Sequence, residues 1–231
     1  MTHSIQKAMI LAAGEGRRMR PLTLNTPKPL LEVKGVPLIV YHIQNLVQVG
    51  ITDIVINVAY LGDKIEAALG NGSQWGAHLT YSHEPQALET AGAIYQALPL
   101  LGSTPFLLVN GDVWLPDGFS RILSNASVVF EGTCLGVLAL VENPGHNNKG
   151  DFSLKKGRVG DVIPSEQSLT FSGVSLLSPK LIQSYPDVRE RFALKEVFDW
   201  AISQSQLKGC VLNDVWVDVG TPERLKALQC Q

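Results

Sequence analysis

The sequence predicts a three-layer α/β fold in which helices cover both faces of a mostly parallel central sheet. Two observations in the first half of the 231 residues predict it: short apolar runs alternate with segments of helical period, and glycine-rich turns follow several of the runs. Strand-like segments joined by glycine and asparagine turns in the second half add a small antiparallel portion. We expect a single domain over residues 1–231, which is long enough for a continuous core.

The elements predicted in the first half repeat strand, helix and strand. The strands are expected at residues 8–12, 53–58, 78–82 and 106–109. Helices are expected from Pro37 to a stop at Gly50, and over residues 63–69 and 90–98. Ligands of such sheets bind outside the carboxyl ends of the strands, and Gly14 and Asp112 both follow predicted strands.

The second half predicts a different pattern. Strands are expected at residues 133–141, 151–154, 158–162, 169–177 and 215–219. Helical patterns lie at residues 179–184 and 194–205. Pro222 is expected to open a short final helix, because proline is favoured at the first helical position.

Composition limits the classes of partner. A charged fraction of 17% and a formal net charge of −2 provide no basic field for nonspecific nucleic-acid binding, so small molecules are the expected partners. No signal peptide is evident, and no stretch approaches the roughly 18 apolar residues of a membrane span. Cys134, Cys210 and Cys230 have no metal-site spacing and are expected to be reduced thiols. The sequence therefore predicts a soluble, cytoplasmic protein without membrane contact, either a monomer or a small homo-oligomer.

The densest functional signal is residues 11–31, LAAGEGRRMRPLTLNTPKPLL. After a strand, Gly14 and Gly16 can turn backbone amides toward phosphate oxygens. The cations suited to a polyphosphate are Arg17, Arg18, Arg20 and Lys28. No Gly-Lys-Ser/Thr follows, which excludes a Walker loop, and the third glycine of a dinucleotide fingerprint is absent. The alternative is a plain turn with exposed arginines, but the prolines on both sides of Lys28 argue against it. The segment predicts a triphosphate site.

This segment resembles the signature of the sugar-phosphate nucleotidyltransferases, LA(A/G)GxGxR(L/M) followed by PKP. Nearly the whole chain takes part in the resemblance, through further segments at residues 34–39, 88–92, 109–112, 170–173 and 216–222. The resemblance implies a Rossmann-like, GT-A-like nucleotidyltransferase fold. It also implies an enzyme in which a sugar 1-phosphate attacks the α-phosphorus of a nucleoside triphosphate and pyrophosphate departs.

By the same resemblance, Asp112 and Asp218 hold a magnesium ion. Two carboxylates are what Mg²⁺ usually takes from a protein, with phosphate oxygens and water at its other positions. Either aspartate alone could instead cap a turn beside its glycine, but both follow apolar strands. Arg18, Lys28 and Asp112 are the expected catalytic residues, which act by alignment and charge neutralisation.

The base contacts stay open at this point. Residues implied to bind the nucleotide are Leu11, Ala12, Ala13, Gly14, Gly16, Arg18, Lys28, Glu84, Glu89, Thr90 and Asn110. Family members commonly have a glutamine in the region of Glu84, and Gly-Thr where this chain has Glu89-Thr90. UTP, TTP and GTP are therefore all compatible with the family pattern.

The sugar end is more specific. Residues 141–152, VENPGHNNKGDF, resemble the loop of family members that transfer a uridylyl group to N-acetylmuramate 1-phosphate for bacterial peptidoglycan recycling. The residues implied to contact the sugar phosphate are Gly150, Asp151, Ser172 and Gly173. We interpret His146 and Lys149 as part of a solvated loop, and Trp75, Trp114, Trp200 and Trp216 as residues that pack in the core or in a cleft wall.

Two alternatives remain. Another sugar 1-phosphate could be the substrate, in a mannose 1-phosphate guanylyl transfer or a glucose 1-phosphate thymidylyl or uridylyl transfer. A non-catalytic protein that binds nucleotide sugars as a regulator belongs to a different class. Such a regulator is expected to lack a metal carboxylate or the lysine, and this chain retains Lys28, Asp112 and Asp218.

Overall fold

The computed structural model of the protein describes residues 4–163 and 167–229. Its strands are β1 (Lys7–Leu11), β2 (Glu32–Val33), β3 (Val36–Pro37), β4 (Asp53–Val58), β5 (His78–His83), β6 (Phe106–Asn110), β7 (Val113–Trp114), β8 (Gly136–Val141), β9 (Phe152–Lys155), β10 (Arg158–Gly160), β11 (Ser168–Leu177), β12 (Leu207–Val211) and β13 (Val217–Asp218). Its α-helices are α1 (Leu38–Gln48), α2 (Gly62–Leu69), α3 (Glu89–Leu101), α4 (Ser120–Leu123), α5 (Ala126–Phe130), α6 (Pro179–Gln183), α7 (Leu194–Ser203) and α8 (Pro222–Gln229).

One mixed sheet unites the two halves of the chain. Within the described ranges it has nine strands in the order β5-β4-β1-β6-β11-β8-β12-β10-β9. The strands from β5 to β6 are parallel, whereas β11 is antiparallel to both β6 and β8. The predicted α/β class is confirmed, and the antiparallel portion is a continuation of the parallel sheet.

Helices on opposite faces of the sheet bury alternate residues of β1. Ile10 faces a cluster that includes Ile39 and Ile43 of α1, whereas Met9 faces a cluster that includes Ile94 of α3. All five side chains are fully buried. Because successive side chains of a strand point to opposite faces, a strand covered on both sides is apolar throughout, and this explains the unbroken run MILAA.

Several element boundaries differ from the sequence prediction. The strand predicted at 133–141 begins at Gly136, and the one predicted at 215–219 is only Val217–Asp218. Helix α3 continues past Pro99 to Leu101. The helices α4 and α5 and the strand β12 were not predicted. The β12 sequence LKGCV has no apolar alternation, and the strand is held by parallel pairing with β8 on one side and by β10 on the other.

The predictions about thiols and membranes have partial answers in the structure. Cys134 is buried and Cys210 is partly buried, both as free thiols, while Cys230 lies outside the described residues. In the described part of the chain, no helix has the length and apolar character needed to cross a membrane.

Candidate active site

Two adjoining cavities open at the carboxyl ends of the parallel strands. The first has a volume of about 380 Å³ and the second of about 320 Å³. Arg18, Asn110 and Asp112 line both of them. Every residue predicted to bind the nucleotide lines the first cavity, namely Leu11, Ala12, Ala13, Gly14, Gly16, Arg18, Lys28, Glu84, Glu89, Thr90 and Asn110.

The loop after β1 depends on two glycines for its shape. Gly16 has a left-handed φ of +61°, and a Cβ atom there would lie 2.9 Å from Cγ2 of Thr23. The hydroxyl of Thr23 donates a hydrogen bond of 2.8 Å to the carbonyl oxygen of Gly16, which fastens the loop. Gly111 donates its amide to the carbonyl oxygen of Leu11 at 2.9 Å, and a Cβ atom at this position would lie 2.6 Å from that oxygen. Only glycine allows both close approaches.

The cations of the loop differ in their surroundings. Arg17 lines the first cavity, but its guanidinium is bonded at 2.7 Å to the carboxylate of Glu15. Arg18 lines both cavities. Lys28 lies in a 3-10 turn after Pro27 and is only 8% exposed, and its Nζ atom donates a hydrogen bond of 2.7 Å to Oδ2 of Asp112. A buried ammonium group requires such a partner, because removal of a charge from water is costly.

Strand β13 brings the second predicted metal ligand beside the first. Asp218 pairs with Val113 of β7, and the amide of Val219 donates to the carbonyl oxygen of Asp112 at 2.9 Å. Oδ2 of Asp218 accepts a hydrogen bond of 2.5 Å from Nη1 of Arg224.

The carboxylates of Asp112 and Asp218 suit a hard cation whose remaining ligands come from a substrate or from water. In the described ranges, no group of three or more His, Cys, Asp or Glu side chains is arranged to hold a metal. Asp112 and Asp218 both line the second cavity, and two carboxylates fit Mg²⁺ when phosphate oxygens and water supply the remaining positions.

The far end of the first cavity contains a buried carboxylate. Glu84 is 6% exposed and accepts hydrogen bonds from Nδ2 of Asn57 at 2.7 Å and from the amide of Leu88 at 2.9 Å. Burial raises the pKa of Glu84, and the two hydrogen bonds oppose this shift. Asn57 lines the cavity and was not predicted. The feature of the sequence that could have predicted it is a single amide side chain near the carboxyl end of the apolar strand DIVINV.

Glu89 and Thr90 line the cavity, but their side chains contact a distant segment. Glu89 has a positive φ of 61°, and its carboxylate lies 3.3 Å from Arg191. The hydroxyl of Thr90 accepts a hydrogen bond of 2.9 Å from the amide of Leu194. The start of α3 is therefore connected to the segment before α7 through Glu89 and to the first residue of α7 through Thr90.

Three of the four residues predicted at the sugar end line the second cavity. They are Asp151, Ser172 and Gly173, whereas Gly150 is absent from its wall. The carboxylate of Asp151 accepts hydrogen bonds from the amide of Phe171 at 2.8 Å and from Nδ2 of Asn147 at 3.0 Å. Gly150 has a φ of +64° and forms the turn that leads to Asp151.

His146, interpreted from the sequence as part of a solvated loop, and Trp216, expected in the core or in a cleft wall, both line the second cavity. His146 lies with its Nε2 atom 3.1 Å from Nη1 of Arg224. Trp216 donates its indole N–H to the carbonyl oxygen of Ser172 at 2.8 Å. Lys149 is exposed, and the remaining tryptophans pack against or within the apolar clusters, as predicted.

Comparisons with known proteins match the chain along nearly its whole length. The Nucleotidyl transferase family model matches residues 7–231. N-acetylmuramate alpha-1-phosphate uridylyltransferase from Neisseria meningitidis serogroup B is 48% identical over 225 residues, which cover 96% of either chain. Mannose-1-phosphate guanyltransferase beta-B from Xenopus laevis is 30% identical over 97% of this chain and 64% of its own length.

Solved structures share the fold at lower identity. A putative glucose-1-phosphate thymidylyltransferase from Bacillus anthracis, in complex with a sucrose, superposes with a TM-score of 0.82 at 23% identity, over 97% of this chain and 94% of that one. HddC from Yersinia pseudotuberculosis, complexed with GMP-PN, has a TM-score of 0.77 at 22% identity, over 97% and 98% of the two chains.

Proposed function

The chain belongs to the nucleotidyl transferase family, and we propose that it transfers a uridylyl group from UTP to N-acetylmuramate 1-phosphate. The observation that supports this choice of substrates is the 48% identity, over 96% of either chain, to an enzyme named for that reaction. The geometry supports the reaction class, because two cavities meet at Arg18, Asn110 and Asp112. A triphosphate in the first and a sugar phosphate in the second would bring the reacting phosphates together.

In the proposed reaction, a phosphate oxygen of the sugar 1-phosphate bonds to the α-phosphorus of UTP. The bond from this phosphorus to the oxygen of the departing pyrophosphate breaks, so the products are UDP-N-acetylmuramate and pyrophosphate. No nucleophile from the protein is needed. The residues act by holding both phosphates in line and by stabilising the charge that develops on their oxygens.

The loop after β1 supplies the groups that would bind the triphosphate. The backbone amides around Gly14 and Gly16 would donate to phosphate oxygens, as they do at other glycine-rich loops. Arg18 lies where the two cavities meet and would bind the phosphates of both substrates. Lys28 would bring a fixed positive charge to the reacting phosphate from a nearly buried position.

We propose that Asp112 and Asp218 hold a magnesium ion in the working enzyme. When bound, this ion neutralises charge on the phosphate oxygens. Lys28 contacts Asp112 and Arg224 contacts Asp218, so both carboxylates are already held in fixed positions by cations. The oxygens that these contacts leave open are the donors offered to the ion.

The remaining assignments concern the base and the sugar. Glu84 and the backbone of Leu11, Ala12 and Ala13 would surround the uracil. Asp151, Gly150, Ser172 and Gly173 would contact the amino sugar, Gly150 through its backbone.

The cellular setting is part of the same proposal. The free thiols of Cys134 and Cys210 support a cytoplasmic location, because disulfides are rare in that compartment. The proposed product belongs to peptidoglycan recycling. We propose that one chain, as a single domain, contains the whole site, whether the protein is a monomer or a small homo-oligomer.

The test is pyrophosphate release by the purified protein with magnesium. Four nucleoside triphosphates are crossed with a panel of hexose 1-phosphates that includes N-acetylmuramate 1-phosphate. We expect the highest kcat/KM for UTP with N-acetylmuramate 1-phosphate. Turnover of UTP with glucose 1-phosphate alone would refute the muramate assignment, and no turnover with any pair would refute the enzyme.

A further inference from the structure

A directed chain of hydrogen bonds crosses three neighbouring strand ends beside the first cavity. It begins at the amide of Ala12, which donates to Oδ1 of Asn57 at 2.8 Å. Nδ2 of Asn57 donates to Oε1 of Glu84 at 2.7 Å, and Oε2 of Glu84 accepts from the amide of Leu88 at 2.9 Å. The chain thus connects the ends of β1, β4 and β5 to the residue that precedes α3.

The direction of this chain follows from the backbone. The amide of Ala12 can only donate, so the oxygen of the Asn57 side chain must face it and the NH₂ group must face Glu84. The amide of Leu88 can also only donate. Two donors therefore point at the two oxygens of Glu84, and a carboxylate is the side chain that accepts at both. An amide there would place an NH₂ group against one donor.

This arrangement is costly if its only purpose is to stabilise the fold. Asn57 is 3% exposed and lies in a strand whose other inner residues are apolar. Glu84 has no ion-pair partner among the residues that the structure describes, so its charge depends on these hydrogen bonds. Burial of an amide and a carboxylate opposes folding even when both are bonded, and apolar residues would pack at lower cost.

The position of the chain indicates its use. Ala12, Asn57 and Glu84 all line the first cavity, and Glu84 follows β5, which β4 and β1 separate from the strand that leads to Asp112. We propose that Asn57 is a positioning residue for nucleotide binding, which fixes the orientation of Glu84 and joins it to the triphosphate loop at Ala12. Its effect on substrate is indirect, through the wall that receives the base. The identity of that base as uracil rests on the proposed function.

The test is a cycle of four proteins: wild type, Asn57→Asp, Glu84→Gln and the double variant. In Asn57→Asp, the new carboxylate faces the carboxylate of Glu84. In Glu84→Gln, the new NH₂ group must face either the NH₂ group of Asn57 or the amide N–H of Leu88. In the double variant every donor again meets an acceptor, because the glutamine donates to the aspartate and accepts from Leu88. In this double variant, only the direction of the hydrogen bond between residues 57 and 84 is reversed, and the side chains keep nearly the same size.

The readout is the Kd for UTP from isothermal titration calorimetry, without sugar phosphate, followed by kcat at saturating UTP. We expect each single variant to raise the Kd about tenfold, the effect of one mismatched buried hydrogen bond. The double variant is expected to return to within about threefold of wild type. The kcat at saturation should change less than the Kd, since Lys28 and Asp112 are untouched.

A matched control separates this pairing from a general loss of buried amides. Asn45 is also buried, and its NH₂ group donates to the carbonyl oxygen of Leu115 at 2.8 Å, outside the chain of bonds. Adding Glu84→Gln to Asn45→Asp should therefore not lower the Kd for UTP. If the Kd of the Asn57/Glu84 double variant rises by the product of the two single-variant increases, the proposal is overturned. Unchanged Kd values in the single variants would also overturn it.

The proposed function and this inference can fail separately. If the wild-type protein binds another of the four triphosphates and not UTP, uridylyl transfer is wrong, and the same rescue must appear with the triphosphate that binds. If UTP binds and the double variant shows no rescue, the role of Asn57 is wrong and the function stands. Binding of no triphosphate refutes both.

Discussion

Nζ of Lys28 lies 2.7 Å from Oδ2 of Asp112, although 84 residues separate the two positions. The lysine belongs to the proline-flanked turn and the aspartate follows β6, so the contact joins the proposed triphosphate loop to the proposed metal ligand. The Lys28 side chain is nearly buried, whereas that of Asp112 is 36% exposed and faces both cavities. Asp112 therefore holds the Lys28 ammonium group at the wall of the cavity in which we propose that the triphosphate binds.

Lys28→Met should lower kcat by about 100-fold or more, because it removes a fixed positive charge from the reacting phosphate and keeps most of the apolar stem. Pyrophosphate release at saturating substrates measures the change. Lys180→Met, at an exposed lysine of α6 outside both cavities, is the matched control and should keep wild-type kcat. Equal activity of the two variants would contradict a catalytic role for Lys28.

Asp112→Asn and Asp218→Asn should each remove most of the turnover without unfolding the protein, because the proposed metal loses one of two carboxylates. Thermal unfolding followed by circular dichroism should show a small change in Tm for Asp218→Asn, because both members of its ion pair with Arg224 are partly exposed. Asp112→Asn should lower the Tm further but leave the protein folded, because the nearly buried Lys28 ammonium loses its charged partner. A magnesium titration of any residual activity should move to higher concentration. Asp161→Asn, at an exposed site, serves as the control. Full turnover in either site variant would show that the metal ligand is misassigned.

His42 should make the protein sensitive to mild acid. It is fully buried in α1, and burial lowers its pKa to about 4, against smaller opposing contributions from the backbone of Val113 and the charge of Asp112. The unfolded chain, with a histidine pKa of about 6.5, takes up the proton first, so stability is full above that pH and falls as the pH approaches 4. Between pH 7 and pH 5 the fall is about 2 kcal/mol.

Urea unfolding at pH 7 and pH 5 measures this effect. His42→Leu places an apolar, helix-compatible side chain in the same buried position and removes the titratable imidazole. The difference in free energy of unfolding between the two pH values should therefore be about 2 kcal/mol smaller in the variant than in wild type. An identical pH dependence in both proteins would exclude His42 as the source.

Gly92→Ala should destabilise the junction between α3 and the segment before α7. A Cβ atom at this position would overlap the carbonyl oxygen of Glu190. Two residues later, the carbonyl oxygen of Phe192 accepts the amides of Ala91 and Gly92. We expect a loss of about 1–3 kcal/mol in urea unfolding, as for other overpacked sites. Gly145→Ala, with no atom within 4 Å of the added carbon, should stay within about 0.5 kcal/mol of wild type. Similar values for the two variants would disprove the steric argument.

The sequence predicted the parallel half of the fold well, because its strands are covered on both faces and appear as apolar runs between helical segments. It also predicted residues that line the first cavity, because Gly14, Gly16 and Lys28 lie within one short segment whose local chemistry is distinctive. Strand β12 was missed, since Lys208 and Gly209 give no strand pattern and the pairing partners are distant in sequence.

Asn57 and Arg224 escaped prediction for a similar reason. Asn57 is a lone amide in an apolar strand, and its partners Ala12 and Glu84 lie 45 and 27 residues away. Arg224 reaches Asp218 from the first turn of α8, a contact that depends on how this helix is placed against β13. Such groups gain their significance from tertiary proximity, which no local pattern records.

The ten-residue strand β11 has a mechanical consequence. Its carboxyl-terminal part pairs with β6, which leads to Asp112, while Ser172 and Gly173, farther back along the same strand, line the second cavity. A hinge between the two halves of the protein would have to break this ladder of main-chain bonds. The separation of the two proposed substrate sites is therefore set by strand spacing. In the proposed enzyme, exchange of residues 142–151 could then change the sugar preference without alteration of the sheet.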